Sequence, residues 1–189
     1  TVRVSLLEPP SDPLGNGPGD IEEEALEPPP KPPTKLRLEL GPQGALVAVD
    51  VRSREILALV GSYEAVRAGL DRTRSRRQPG STFKAIVYSF GIQTHALTPA
   101  TVLETDPFKL KSEKYRPANY DESEGKSPAR LREALAHSVN VAAVSALEQL
   151  SPGKVLNWAK SLGIESKLGA DLSLALGAYE VTPREMAGA

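Results

Sequence analysis

The spacing of apolar positions changes several times along the chain. Ala45-Leu46-Val47-Ala48-Val49 and Ile56-Leu57-Ala58-Leu59-Val60 are short apolar runs joined by polar residues 50–55. That pattern predicts a β-hairpin buried on at least one side, closed by Gly61-Ser62-Tyr63. After the turn signal Pro79-Gly80, the period lengthens. Phe83, Ile86, Val87 and Phe90 recur at helical spacing and predict a helix over residues 81–93 with one apolar face. Ser81, Lys84 and Tyr88 fall on the opposite side, so a hydroxyl and an amine share one stripe of a helix anchored in the core. An irregular stretch punctuated by Pro99, Pro107, Pro117 and Pro128 follows. A helical pattern resumes near Ala129 with Leu131, Ala134 and Leu135. It breaks at His137-Ser138-Val139-Asn140, then continues through Val141, Val144, Leu147 and Leu150. Pro152 suits the first turn of another helix, carrying Val155, Trp158 and Leu162, with Gly163 as its C-terminal cap. Pro183 opens a further helix that is still running at Ala189, which leads to the expectation that the chain is a fragment.

Proline sets the first part of the chain apart. Nine of the 17 prolines lie between Pro9 and Pro33, with Glu22-Glu23-Glu24 among them. Pro28-Pro29-Pro30-Lys31-Pro32-Pro33 has few backbone donors and a fixed φ, which favours extended polyproline conformation. Residues 1–36 therefore read as a linker or the tail of a preceding module, with Val2-Arg3-Val4-Ser5-Leu6-Leu7 as its last strand. Ordered structure is expected from about residue 37 to 189.

Composition narrows the function classes. Lys+Arg is 23 and Asp+Glu is 24, a formal net charge of -1, which is not the strongly basic balance of a general nucleic-acid binder. With 40% apolar residues the chain can build a core. No uncharged apolar stretch approaches the ~18 residues a membrane helix needs. The chain starts at Thr1 without a basic-then-apolar leader, so any targeting segment is expected to have been removed or to lie outside it. Cys is 0, which excludes disulfides, thiolate metal sites and a cysteine nucleophile. Arg67, Arg72, Arg74, Arg76, Arg77 and Lys84 outnumber Glu64 and Asp71, and this basic segment reads as a solvated loop, with an anion-recruiting rim as the alternative.

Ser81 and Lys84 have the makings of an activated nucleophile. A serine hydroxyl needs a base, and a lysine one turn away can serve if it is neutral. Desolvation and the positive end of the helix both favour the neutral amine. The same helix start leaves N–H groups that can stabilise an oxyanion. As a lone pattern, Ser-x-x-Lys occurs by chance in many helices. In Ser138-Val139-Asn140, the serine could relay a proton and the asparagine could hold a substrate amide; alternatively, Ser138 or Asn140 caps the helix through Val141. His137 cannot work with Ser138 from within one helix, because adjacent helical residues point about 100° apart. Only His95 could join it at a metal, so a zinc site is not expected. Asp121, Glu122 and Glu124 read as solvated loop charges, and Trp158 as core.

The motifs in this order carry a resemblance. Ser-x-x-Lys followed by a Ser-x-Asn motif is the arrangement of penicillin-binding proteins and serine β-lactamases. Arg77-Gln78-Pro79-Gly80-Ser81-Thr82-Phe83-Lys84 resembles the nucleophile segment of class A penicillin-binding proteins. Gly44-Ala45-Leu46-Val47-Ala48-Val49-Asp50 with the run 56–61 resembles the opening hairpin. Tyr115-Arg116-Pro117-Ala118-Asn119-Tyr120 and residues 131–140 resemble the approach to the second motif. Leu174-Ala175-Leu176-Gly177-Ala178-Tyr179-Glu180-Val181-Thr182-Pro183 resembles the segment beyond it.

The resemblance implies an α+β fold with helices packed on an antiparallel sheet, of which residues 37–189 form the N-terminal part. It implies a peptidoglycan D,D-transpeptidase acting through an acyl-serine. Ser81 would be the nucleophile and Lys84 its base. Ser138 would help protonate the departing D-alanine, and Asn140 would hold the peptide and assist Lys84. Ser81, Ser138 and Asn140 would contact the substrate, which is a peptidoglycan stem peptide; β-lactams would be covalent inhibitors. No metal or organic cofactor and no nucleic acid is implied. The site would work outside the cytoplasm, in the periplasm, with the full-length protein anchored in the inner membrane by a segment outside this chain. The family's third motif, Lys-Thr/Ser-Gly, has no counterpart here. It is expected to lie, with the remaining strands and a glycosyltransferase module, in a longer protein, leaving this part weak or inactive alone. The alternatives are a serine β-lactamase and a non-catalytic sensor that binds β-lactam or cell-wall peptide.

Overall fold

Helix α3 (Asn140–Leu150) organises the fold because it is apolar almost all the way round. Every residue from 141 to 147 is buried, the signature of a helix inside a core rather than on its surface. Ala142, Ala143 and Ala146 keep its girth small, and Val141, Val144 and Leu147, each 0% exposed, fill the space around it. Burying each of these larger side chains is worth roughly 1.5–3 kcal/mol. Helices α1 (Lys84–Gln93) and α4 (Pro152–Ser161) pack against α3 and each other, as does a 3-10 turn at Leu172–Leu176.

The protein is described from a computed structural model covering residues 3–6, 36–39, 44–62, 69–120 and 127–189. The chain forms two units, Thr1–Gln43 and Gly44–Ala189. In the first, β1 (Arg3–Leu6) pairs antiparallel with β2 (Leu36–Glu39), Arg3 opposite Glu39 and Leu6 opposite Leu36. The proline-rich residues 7–35 lie outside the described residues, as do Arg67, Asp121, Glu122 and Glu124.

The second unit follows the apolar pattern closely. β3 (Leu46–Val49) and β4 (Ile56–Val60) form the expected antiparallel hairpin, with an irregularity at Ala48/Val49. Asp50 accepts the Arg52 and Ser53 N–H groups and shapes the turn. The hairpin is less buried than its composition predicts, with Leu57 68% and Val60 52% exposed. Among the described residues, α5 (Pro183–Gly188) is the helix that packs on it, against β3. The predicted helix at 129 begins two residues later, because Ala129–Arg130 (β6) pairs with Val102–Leu103 (β5) before α2 (Leu131–Ala136) starts. Pro152 and Pro183 open α4 and α5, and Gly163, at φ 99°, follows the end of α4. Trp158 is half-buried, packs at a tilt against Phe90 with ring centroids 6.0 Å apart, and donates to Ser89 Oγ at 3.0 Å. It is a packing residue, as its spacing suggests.

Two stretches far apart in sequence run beside the start of α1. Arg77 and Val181 exchange both backbone hydrogen bonds, at 2.9 and 3.0 Å. Arg184 N–H reaches Thr73 carbonyl oxygen, and Gln78 donates to the Ala178 carbonyl. Glu185 secures the second stretch. Its carboxylate accepts the Glu165 and Ser166 N–H groups, the Ser166 hydroxyl and the Thr182 N–H and hydroxyl, at 2.7–2.9 Å. Thr182 Oγ1 accepts Glu185 N–H in return, completing a capping box on α5. Burial opposes ionisation of Glu185, but these donors outweigh it and bring its pKa from 4.5 down to about 2.

A carboxylate with a depressed folded-state pKa stabilises fully above its unfolded value and loses that contribution as pH falls through the folded one. Thermal stability should therefore drop as pH falls from about 4.5 to about 2. Glu185→Gln should flatten part of that drop while lowering stability at neutral pH. An unchanged acid profile in the variant would show that the Glu185 clamp does not operate in solution.

Candidate active site

Pro79 and Gly80 start the site. Gly80 has φ 57°, a left-handed value that glycine tolerates. The chain then enters α1 through a 3-10 turn, Gly80–Phe83, rather than directly as an α-helix. In 3-10 geometry residues i and i+3 eclipse, so Ser81 and Lys84 line up one above the other. Ser81 is exposed and Lys84 is fully buried, 0% exposed. Phe83 and Val87, both buried, anchor the turn in the core. The buried face is wider than the periodicity predicts, since Lys84 and Tyr88 are covered along with Ile86 and Val87, while Phe90 is only half-buried. Among the described residues, the Ser81 backbone N–H donates to no protein acceptor.

The oxygens around Lys84 come from the break between α2 and α3. Lys84 Nζ lies 2.5 Å from the Ser138 carbonyl oxygen, 3.1 Å from Ser138 Oγ and 2.7 Å from Asn140 Oδ1. Carbonyl and carboxamide oxygens only accept, so they take N–H groups of Lys84 in either protonation state. The Ser138 hydroxyl can accept from an ammonium or donate to a neutral amine. Asn140 cannot turn its amide round without losing a second bond, because its Nδ2 donates to the Ala118 carbonyl at 2.9 Å.

Ser138 is not a helix N-cap. It ends α2, with His137 as C-cap and Ser138 one residue beyond in the left-handed region at φ 58°. Ser138 N–H bonds Leu135 carbonyl at 3.1 Å and Val139 N–H bonds Ala134 carbonyl at 2.8 Å. That pair of bonds is a Schellman motif, in which glycine is the usual residue at this position. A side chain there costs roughly 1–2 kcal/mol, and strain of this kind gathers at functional sites. The left-handed turn brings both oxygens of Ser138 to Lys84. The N-cap of α3 is Val139, which has no capping side chain, and Asn140 is the first helical residue.

Of the four predicted residues, Lys84, Ser138 and Asn140 are joined by hydrogen bonds, and Ser81 stands three residues before Lys84 in the turn that leads into α1. Residues the sequence reading left without a role also hold the site. Gly177, at φ 64°, lies so close to Gly80 that a Cβ on it would stand 2.3 Å from Gly80 oxygen and 2.6 Å from Gly80 nitrogen. The reciprocal Arg77–Val181 pairing fixes that approach. His137 is exposed and His95 lies elsewhere on the surface. Among the described residues no three His, Asp or Glu side chains converge as a metal site. Arg74 and Arg76 of the basic segment line a cavity of about 600 Å³ with Arg54, Arg184, Glu165 and Glu185, and it shares no residue with the Ser81 group.

Comparison with known proteins gives a consistent answer. Residues 44–188 match the family described as "Penicillin binding protein transpeptidase domain". The chain is 38% identical over 147 residues to penicillin-binding protein 2D of Bacillus subtilis, covering 75% of this chain and 21% of that protein. It is 36% identical over 151 residues to penicillin-binding protein 1A of Aquifex aeolicus, covering 78% and 20%. Among solved structures, penicillin-binding protein 1A of Haemophilus influenzae superposes with a TM-score of 0.67 at 27% identity, over 81% of this chain and 24% of that one. The chain therefore spans about a fifth of the length of the curated relatives it matches.

Substitutions at two positions probe the geometry directly. Ser138→Gly and Ser138→Ala both remove the hydroxyl, but only glycine relieves the left-handed strain, so the glycine variant should be the more stable by about 1 kcal/mol. Equal melting temperatures would mean that Ser138 is not held at positive φ. Gly177→Ala forces the Gly80 backbone aside. It should lower the melting temperature by several degrees; an unchanged melting temperature would show that Gly177 does not press on the Gly80 backbone in solution.

Proposed function

Since the chain belongs to the penicillin-binding protein transpeptidase domain family, we propose that it supplies the acyl-serine half of the cleft of a peptidoglycan D,D-transpeptidase. The observation that carries this reading is a buried Lys84 amine, bonded to Ser138 and Asn140, one turn from an exposed Ser81. Ser81 Oγ attacks the carbonyl carbon between the two D-alanines of a donor stem peptide and passes its proton to Lys84. The Ser81 N–H, which has no protein acceptor among the described residues, faces the developing oxyanion as one of its donors. The peptide C–N bond then breaks, and the leaving D-alanine amine takes a proton relayed from Lys84 through the Ser138 hydroxyl. Asn140 holds the donor amide while its own Oδ1 orients Lys84. An amine of a second stem peptide attacks the ester, forms the new amide and releases Ser81 with its proton restored. A β-lactam enters the same first step: its ring C–N bond breaks and it remains esterified to Ser81.

The chain has no Lys-Thr/Ser-Gly triplet. The strand bearing it, which completes the second oxyanion donor and the carboxylate site, belongs in this reading to a longer bifunctional class A protein, with residues 1–36 as its linker and 37–189 as the front of its transpeptidase domain. The whole protein works in the periplasm from an inner-membrane anchor. Among the described residues no helix is long and apolar enough to cross a membrane.

The test is incubation of the chain, and of the protein extended past Ala189, with a fluorescent penicillin, read by intact mass. The extended form should gain the mass of one β-lactam, and Ser81→Ala should gain none while melting as wild type does. Lys84→Met should slow acylation by about 10²–10⁴. Folded protein that acquires no adduct would sink the transpeptidase reading in favour of a non-catalytic binder, and rapid release of hydrolysed β-lactam would point to a β-lactamase.

A further inference from the structure

We infer that Asn119 is a positioning residue for this site, holding Asn140 and, through it, Lys84. The inference rests on the reading of Ser81 and Lys84 given above. Helix α3 begins with a defect: its N-cap, Val139, is 3% exposed and offers no oxygen to the N–H groups of the first turn. Such N–H groups need an acceptor from elsewhere. Asn119, 22 residues back in sequence, supplies it, accepting Val141 N–H on Oδ1 at 3.0 Å.

The same carboxamide is held from its other end. Asn119 Nδ2 donates to the Thr105 carbonyl at 3.0 Å. Thr105 is fully buried, and its own hydroxyl donates to the Ser127 carbonyl at 2.8 Å. One amide group therefore ties the 105 segment to the first turn of α3, with both of its polar ends used and its orientation fixed.

The consequence for the site follows from the residue next door. Ala118 carries the carbonyl that accepts Asn140 Nδ2 at 2.9 Å, and that bond decides which end of the Asn140 amide faces Lys84. Were the amide reversed, it would offer Lys84 an NH₂ group, which cannot accept a hydrogen bond. Pinning Asn119 on both sides pins the Ala118 carbonyl, and the Ala118 carbonyl sets Asn140. The chain of bonds runs from Thr105 through Asn119 and Ala118 to Asn140 Oδ1, 2.7 Å from Lys84 Nζ.

The experiment is a double-mutant cycle on the longest form of the protein that contains this chain and is labelled by penicillin. Asn119→Ala, Asn140→Ala and the double variant are compared by acylation kinetics and melting temperature. Asn119→Ala should lower the acylation rate at saturating β-lactam by about tenfold, with the half-saturating concentration little changed. In the Asn140→Ala background the same substitution should change that rate by less than about twofold, because the two residues act through one contact. Multiplicative losses, or a loss confined to melting temperature or half-saturation, would overturn the inference and leave Asn119 a structural residue. Should Asn119→Ala not fold, Asn119→Asp enters the same cycle: it keeps an acceptor for Val141 N–H and loses the donor to Thr105, and the same criterion decides. Absence of labelling in the wild-type protein would instead strike the proposed function, which separates the two failures.

Discussion

The fold around this site answers to one constraint, the burial of the Lys84 amine. An amine removed from water is costly unless oxygens replace the water it loses, and at 0% exposure Lys84 must find them inside the protein. They come from a break between two helices more than fifty residues further on. That requirement accounts for an otherwise unfavourable piece of backbone. A glycine at position 138 would satisfy the helix end without strain, but only a serine in the left-handed region brings a carbonyl and a hydroxyl to the same nitrogen. Local stability is given up where a buried amine needs two oxygens in one place.

The turn ahead of Lys84 is held with comparable care. Segment 73–80 has no secondary structure of its own until the 3-10 turn begins, and it is ordered by segment 177–184 alongside it. The Arg77–Val181 exchange sets the register, the Gly177–Gly80 approach sets the depth, and the Glu185 clamp ties the second segment to residues 165–166. Ser81 is therefore positioned by backbone contacts made by residues about a hundred positions downstream, while its partner Lys84 is fixed by helix α1 and the oxygens above it. The β3–β4 hairpin is different in kind. Its apolar side chains remain largely exposed among the described residues, with α5 packed against β3.

Much of the element order could be read from periodicity. The hairpin strands, the two proline-opened helices and the Gly163 terminus fell where pattern and turn chemistry put them, because each depends on residues within a few positions of one another. Departures arose where a distant segment intervened. Ala129–Arg130 became a strand because Val102–Leu103 was there to pair with it. The α1 stripe bearing Lys84 and Tyr88 was buried because α3 and α4 enclose the helix from more than one side. Ser138 proved to be the end of one helix rather than the cap of the next, a distinction of backbone dihedral that a Ser-Val-Asn string does not encode.

Spacing along a few residues was enough to put Ser81 and Lys84 on one stripe a turn apart, and Ser138 and Asn140 at a break between helices. That the break lies over the stripe, that Lys84 is the buried member and Ser81 the exposed one, and that Asn119 replaces the cap Val139 cannot provide, emerged from the folded arrangement alone. Those outcomes depend on how loops carry residues 22 to 56 positions apart into hydrogen-bond range. No local periodicity records such a path, because the energy that selects it is the packing of the whole core around α3.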